Sequence, residues 1–202
     1  MKVGILGGTF NPPHVAHLVC ASEAHDQLGL DVVLLVPTAL PPHKAVPDDP
    51  GAEHRAAMCA LAVQGDERLR VSRIELEREG PSYTVDTLRT LHEREPEHEL
   101  TFIVGGDMAH SLPTWHEPEG ILGLARLAVA ERAEVRRADI TERLAHLAGA
   151  DRVDFFAMPR LDVSSSDLRR RVAAGRPIRY LVPERVVEYI AEHGLYRDEV
   201  VA

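Results

Sequence analysis

Six short apolar runs recur along the chain: Val3–Leu6, Val32–Val36, Leu69–Ile74, Leu100–Val104, Leu127–Ala130 and Val153–Ala157. Three of them, Val3–Leu6, Val32–Val36 and Leu127–Ala130, are unbroken by polar residues, as strands buried on both faces are. Between them Val15–Leu28, Glu53–Val63, Thr84–Arg94, Ile140–Ala148 and Ser166–Ala173 repeat apolar residues at helical spacing. Strands alternating with helices predict an α/β fold with a doubly wound, mostly parallel sheet covered on both faces. The last segment, Tyr180–Tyr196, holds Pro183 and then Val186, Val187, Tyr189 and Ile190 on one stripe, which predicts a terminal helix docked on the core. No internal repeat or low-complexity tract interrupts the pattern.

Composition narrows the picture. The length, 202 residues, suits a single domain over 1–202, with a C-terminal helical segment at about 164–196. Hydrophobic residues at 45% and charged residues at 27% are those of an ordinary globular protein. No apolar run approaches the roughly 20 residues that span a bilayer, and the short apolar stretch behind Lys2 does not read as a signal peptide. No membrane partner is expected. Cys20 and Cys59 form no CxxC pair and are expected as buried thiols in a cytoplasmic protein. A formal charge of −9 argues against a general nucleic-acid binder, which needs clustered positive charge. It leaves room for a small anion held by a few local donors.

Candidate chemistry starts where the first run ends, at GGTFNPPHVAHL, Gly7 to Leu18. In an open parallel sheet, ligands sit beyond the carboxyl ends of strands. Gly7 and Gly8 occupy that place, and glycine lets backbone approach a ligand closely. Pro12 and Pro13 stiffen the exit, and a helix starting near His14 would turn its unpaired first-turn N–H groups toward the site. His14 and His17 share one face of that turn. Three readings compete for them: packing, a metal, or phosphate. No HExxH pattern and no nearby cysteine pair is present, so a zinc site is not expected. The missing GxGxxG disfavours a dinucleotide oxidoreductase. Strand end, glycines and helix start together favour phosphate. The same rule predicts that Gly7, His14 and Ser164–Ser166 converge on one cleft, although some 150 residues separate them.

In this setting GGTFNPPHVAHL resembles the T/HxGH-type motif of the nucleotidyltransferase superfamily, which binds the triphosphate of ATP. The chain is most similar to the bacterial nicotinate-nucleotide adenylyltransferases. VPTALPPHK (Val36 to Lys44), GPSYTVDTL (Gly80 to Leu88), FIVGGDMAHSLPTW (Phe102 to Trp115), DVSSSDLR (Asp162 to Arg169) and YLVPERVVEYIAEHGLY (Tyr180 to Tyr196) follow in the family's order. One departure stands out: Ala133 and Glu134 follow Arg132 where the family usually has an Arg-Pro-Gly turn. The nearest rival in the superfamily is a phosphopantetheine adenylyltransferase. A rival from another class is a nucleotide sensor without turnover.

The resemblance implies a Rossmann-like nucleotidyltransferase fold. It implies transfer of the adenylyl group of ATP to nicotinate mononucleotide, giving nicotinate adenine dinucleotide and pyrophosphate. It implies His14, His17, Lys44 and Arg169 as catalytic residues. ATP would be bound by Gly7, Gly8, Thr9, Phe10, His17, Gly105, Asp107, Ser164, Ser165, Ser166 and Arg169. Asn11, Lys44, Ser82, Tyr83, Thr84, Trp115 and Arg132 would bind the mononucleotide. Mg²⁺ would travel on the ATP phosphates, with no dedicated metal site in the protein. A homo-oligomer is possible under this reading.

Several of these residues have simpler roles open to them. Serine is a favoured helix N-cap, so Ser164–Ser166 could cap a helix as well as cradle phosphate. Lys44 lies in Pro37–Gly51, which contains five prolines (Pro37, Pro41, Pro42, Pro47 and Pro50), and a loop that long is more often functional than idle. Trp115, the only tryptophan, could be core or could stack on a pyridine. Asp107 could cap a helix or contact ribose. His25, His54, His92, His98, His110, His146 and His193 read as surface or packing residues.

Overall fold

The computed structural model describes residues 1–41, 48–131 and 137–197. The first half of the chain runs β1 (Lys2–Gly8), α1 (Val15–Leu28), β2 (Val32–Pro37), α2 (Ala52–Ala62), β3 (Leu69–Val71), α3 (Thr84–Arg94) and β4 (Glu99–Gly105). It continues with α4 (Gly106–Ser111), α5 (Pro118–Leu124), β5 (Arg126–Glu131), α6 (Arg137–Leu144), β6 (Val153–Ala157), α7 (Ser165–Ala173) and α8 (Glu184–Glu192). All six predicted strands form and pair in parallel, in the order β3-β2-β1-β4-β5-β6.

Alternate residues of each strand face opposite sides of the sheet. Val3, Ile5, Phe102, Val104, Leu127 and Val129 pack on one face, against Val85 and Leu88 of α3, Ile121 of α5 and Ile140 of α6. Leu6, Val33, Leu35, Ile103, Ala128 and Ala130 pack on the other, against Ala21 and Ala24 of α1 and Cys59 of α2. Gly4 stands in β1 where a Cβ would lie 2.7 Å from Leu30 Cδ1 and 2.9 Å from Ile103 Cδ1. A third cluster joins Met58 of α2, Leu168 of α7, and Val186 and Ile190 of α8. The terminal helices thus dock on α2, beside the β1 loop.

Three boundaries depart from the sequence expectation. The third strand stops at Val71 rather than Ile74, because the chain turns there: Ser72 Oγ accepts the Ile74 N–H at 3.4 Å and Leu76 N–H bonds Arg73 O at 2.8 Å. The expected helix at Ile140–Ala148 instead spans Arg137–Leu144. The terminal helix is shorter than Tyr180–Tyr196, with Pro183 as its N-cap. Helices α4 and α5, of six and seven residues, had no counterpart in the sequence pattern. Among the described residues, no helix is long and apolar enough to cross a membrane.

Candidate active site

Strand order reverses between β1 and β4, since β2 lies on one side of β1 and β5 on the far side of β4. Connections leave these two strands toward opposite faces, which opens a crevice at their carboxyl ends. A cavity of about 420 Å³ occupies that place. Its wall includes Gly7, Gly8, Thr9 and His17 of the β1 loop and α1, Gly105 at the end of β4, and Ser82, Tyr83, Thr84 and Trp115. These nine predicted residues therefore meet in one space.

The β1 loop is held from behind. Phe10 takes the left-handed conformation, with φ of 50°. Its buried ring lies under Gly8, where a Cβ would come within 3.2 Å of the ring, and meets the His17 ring edge-on at 4.9 Å. Close approach of this backbone to a ligand thus depends on Gly8, and Phe10 contributes as its support. His14 caps α1 and is only 5% exposed. Its ring stacks on His17 at 3.7 Å, and its backbone N–H donates to His17 Nδ1 at 3.2 Å. Since Nδ1 accepts, the proton sits on Nε2, and His17 presents an N–H donor from a neutral ring. The first-turn donors of α1 are partly used within the protein: Val15 N–H bonds Leu181 O at 3.0 Å and His17 N–H bonds His14 O at 2.9 Å.

The start of α7 comes to the β1 loop, but His14 and Ser164–Ser166 do not line the cavity with Gly7, so the expected convergence on one cleft is met only as contact between α7 and the loop. Ser165 Oγ donates to Pro12 O at 2.8 Å, and Arg169 Nη1 donates to Asn11 O at 2.9 Å. Ser164 caps α7 by accepting the Asp167 N–H at 3.2 Å, and Ser166 is exposed. These residues lie beside the cavity, outside the wall described above. Asn11 is buried, and its Oδ1 accepts the Tyr196 hydroxyl at 2.6 Å. Burial raises the Tyr196 pKa well above the usual phenol value, so the hydroxyl stays a donor. Asp107 is exposed in the first turn of α4. Lys44 and Arg132 lie outside the described residues.

On the mononucleotide side, Tyr83 precedes α3 as its N-cap without a side-chain cap. The first N–H groups of that helix therefore depend on backbone or ligand partners. Trp115 leaves the 112–114 turn with Nε1 donating to Ser111 Oγ at 3.0 Å, and its ring meets Phe102 edge-on at 6.0 Å. These contacts fix the indole plane at the cavity wall. His116 packs on Tyr83 at 4.4 Å.

Sequence reasoning missed three participants. Glu75 and Thr87 line the cavity from the β3–α3 connection and α3, but a lone Glu in a charged stretch carries no signal. Arg55 of α2 is completely buried and donates to Thr9 O at 2.9 Å, Thr38 O at 2.6 Å, Ala39 O at 3.3 Å and Asp49 Oδ1 at 2.9 Å. It ties the loops after β1 and β2 together. The unusual feature is its burial, which only the fold reveals.

A cytidylyltransferase-like family model matches residues 5–171. A curated relative from Thermomicrobium roseum is 45% identical, covering 97% of this chain and 92% of its own. Another from Enterococcus faecalis is 43% identical, covering 98% and 86%. Both are described as “probable nicotinate-nucleotide adenylyltransferase”. Among solved structures, Plasmodium falciparum nicotinic acid mononucleotide adenylyltransferase complexed with NaAD has a TM-score of 0.79 at 19% identity, over 96% of this chain and 97% of that one. That likeness speaks for the fold, whereas the near full-length identities speak for the family. With its parallel sheet, its crevice at the β1–β4 reversal and its paired histidines, this chain belongs to the cytidylyltransferase-like family and, within it, to the nicotinate-nucleotide adenylyltransferases.

Proposed function

We propose the following division of labour in the transfer of the adenylyl group from ATP to nicotinate mononucleotide, a step of NAD biosynthesis. The nucleophile is a phosphate oxygen of the mononucleotide. With a second pKa near ~6 it is already ionised at neutral pH, so no general base is needed. It attacks the α-phosphorus of ATP, the bond to the bridging oxygen breaks, and pyrophosphate leaves with the electron pair. The difficulty is to bring two anions together and to stabilise charge on the leaving group.

Gly7, Gly8 and Thr9 offer backbone that a phosphate chain can approach. His17 Nε2–H is aimed by its bond from His14 and donates to phosphate charge at the reacting centre. Arg169 neutralises triphosphate charge and the Ser164–Ser166 start of α7 donates hydrogen bonds to it, Lys44 pairs with the mononucleotide phosphate, and Asp107 and Gly105 meet the nucleoside. On the other side Trp115 stacks on the pyridine, and the N–H groups around Tyr83 and Thr84 take its carboxylate. Arg132 serves the mononucleotide as the family arginine would. The donor set at the phosphate end consists of N–H and hydroxyl groups, and Glu75 is the one carboxylate in the cavity wall among the described residues. That set fits Mg²⁺ carried by ATP oxygens and water, supplying charge neutralisation when bound. Free Cys20 and Cys59 suit a reducing cytoplasm, where we place the protein.

The observation that carries this reading is the single cavity that joins the His17 donor to the Trp115–Tyr83 wall. Pyrophosphate release measured with ATP and a panel of phosphorylated acceptors tests it. Release with nicotinate mononucleotide is expected; release only with phosphopantetheine, or none at all, would refute it.

A further inference from the structure

Glu75 is a carboxylate for which the division of labour above has no use. It is 7% exposed and shares the cavity wall with Ser82, Tyr83, Trp115 and His116. Oε1 accepts the Thr87 hydroxyl at 2.8 Å. Thr87 Oγ1 is also 3.3 Å from the Tyr83 carbonyl, but a hydroxyl has one proton, and the shorter bond to a carboxylate takes it. Oε2 is buried with no hydrogen-bond partner, and Glu75 forms no ion pair among the described residues. A buried carboxylate oxygen without donor or counter-charge is costly. Glu75 lines the cavity, so a ligand bound there is placed to supply a counter-charge.

Under the function proposed above, on which this inference rests, the arriving ring carries two charges. Its nitrogen bears the ribose, which makes the ring a pyridinium cation, and carbon 3 bears a carboxylate. Glu75 would repel the carboxylate and attract the ring. The face of Trp115 attracts the same cation. We propose that Glu75 is the counter-charge for the pyridinium ring: its buried carboxylate attracts the positive ring across the cavity wall while the N–H groups at the start of α3 take the ring carboxylate. Glu75 then favours a cationic ring over a neutral one, independently of Trp115.

Glu75→Gln tests this, because it keeps the acceptor for Thr87 and removes the charge. The measurement is the Kd of wild type and variant for nicotinate mononucleotide and for its 1,4-dihydro form, whose ring is neutral, with the KM for ATP and thermal melting alongside. Two charges about 5 Å apart at an effective dielectric near 20 give an expected preference on the order of 10²-fold for the cationic ring in wild type. The variant should lose most of that preference, with the change falling on the mononucleotide and not on ATP. Equal wild-type affinities for the two rings would overturn the proposal, and so would an undiminished preference in folded Glu75→Gln. Tighter binding of nicotinate mononucleotide by the variant would also overturn it, since Glu75 would then be repelling the ring carboxylate. If the glutamine variant does not fold, Trp115→Leu decides: a preference that survives there supports Glu75, and one that vanishes assigns it all to stacking. A wild-type protein that releases no pyrophosphate with nicotinate mononucleotide refutes the functional reading itself, a result separate from the ring comparison.

Discussion

Replacing Arg55 with Ala removes a buried side chain that ties the β1 and β2 loops together. The guanidinium is 0% exposed and spans three carbonyls and Asp49. Hydrogen bonds to a charged group contribute about 1.5–3 kcal/mol each, but four cannot simply be added. Water enters the vacated space and rehydrates part of what is left, and Asp49, already 27% exposed, regains most of its hydration. Breaking a buried charge pair costs about 3–5 kcal/mol. About 4 kcal/mol is therefore expected, against a total of roughly 5–15 kcal/mol for a typical domain. At this chain length that lowers Tm by roughly 10–15 °C. Arg55→Lys keeps the charge but has a single ammonium that cannot span all four acceptors, so it should recover only part of the loss. Urea melts followed by circular dichroism would compare wild type, both Arg55 variants and Asp49→Asn. Asp49→Asn should cost under about 1 kcal/mol, because the carbonyl contacts remain. The KM for ATP should rise in any folded Arg55→Ala protein, because Thr9 loses its anchor. A loss below about 1 kcal/mol for Arg55→Ala, or equal losses for Arg55→Ala and Asp49→Asn, would refute the clasp.

Other perturbations separate packing from chemistry. His17→Ala should lower turnover by about 10²-fold or more with little change in Tm; a variant that melts early yet keeps its rate would make His17 a packing residue. Nicotinate mononucleotide should exceed nicotinamide mononucleotide in kcat/KM by about 10²-fold, because an amide set against two backbone N–H donors leaves groups unpaired; equal values would mean the α3 terminus does not read the ring substituent. Gly4→Ala should cost about 1–3 kcal/mol in a denaturant melt, as its Cβ meets the movable ends of Leu30 and Ile103 below 3.0 Å; an unchanged midpoint would show slack between the strands. Tyr196→Phe should cost about 1–2 kcal/mol by removing the 2.6 Å bond to Asn11; no loss would show that the C-terminal segment does not latch the β1 loop.

Much of this architecture follows from local order in the chain. Val3–Leu6, Val32–Val36 and Leu127–Ala130 are strands because unbroken apolar runs of that length have to be buried on both faces, and helices between the strands enforce parallel pairing. Gly7 and Gly8 announced a close backbone approach at a strand end, and the wall that includes His17, Tyr83 and Trp115 was legible as a set of motifs. Helices α4 and α5 were not, since six or seven residues containing Gly or Pro are too few to display a helical period. Strand order was not legible either. Nothing within Glu99–Gly105 says that β4 pairs with β1, yet that pairing creates the crevice. Arg55 and Glu75 look in sequence like any charged residues of a solvated face. Only the packing of α2 under two loops, and of the β3–α3 connection against the cavity, buries them. Burial turns an ordinary guanidinium into a clasp and an ordinary carboxylate into an acceptor without a partner, because a charge acquires structural meaning once water is taken from it.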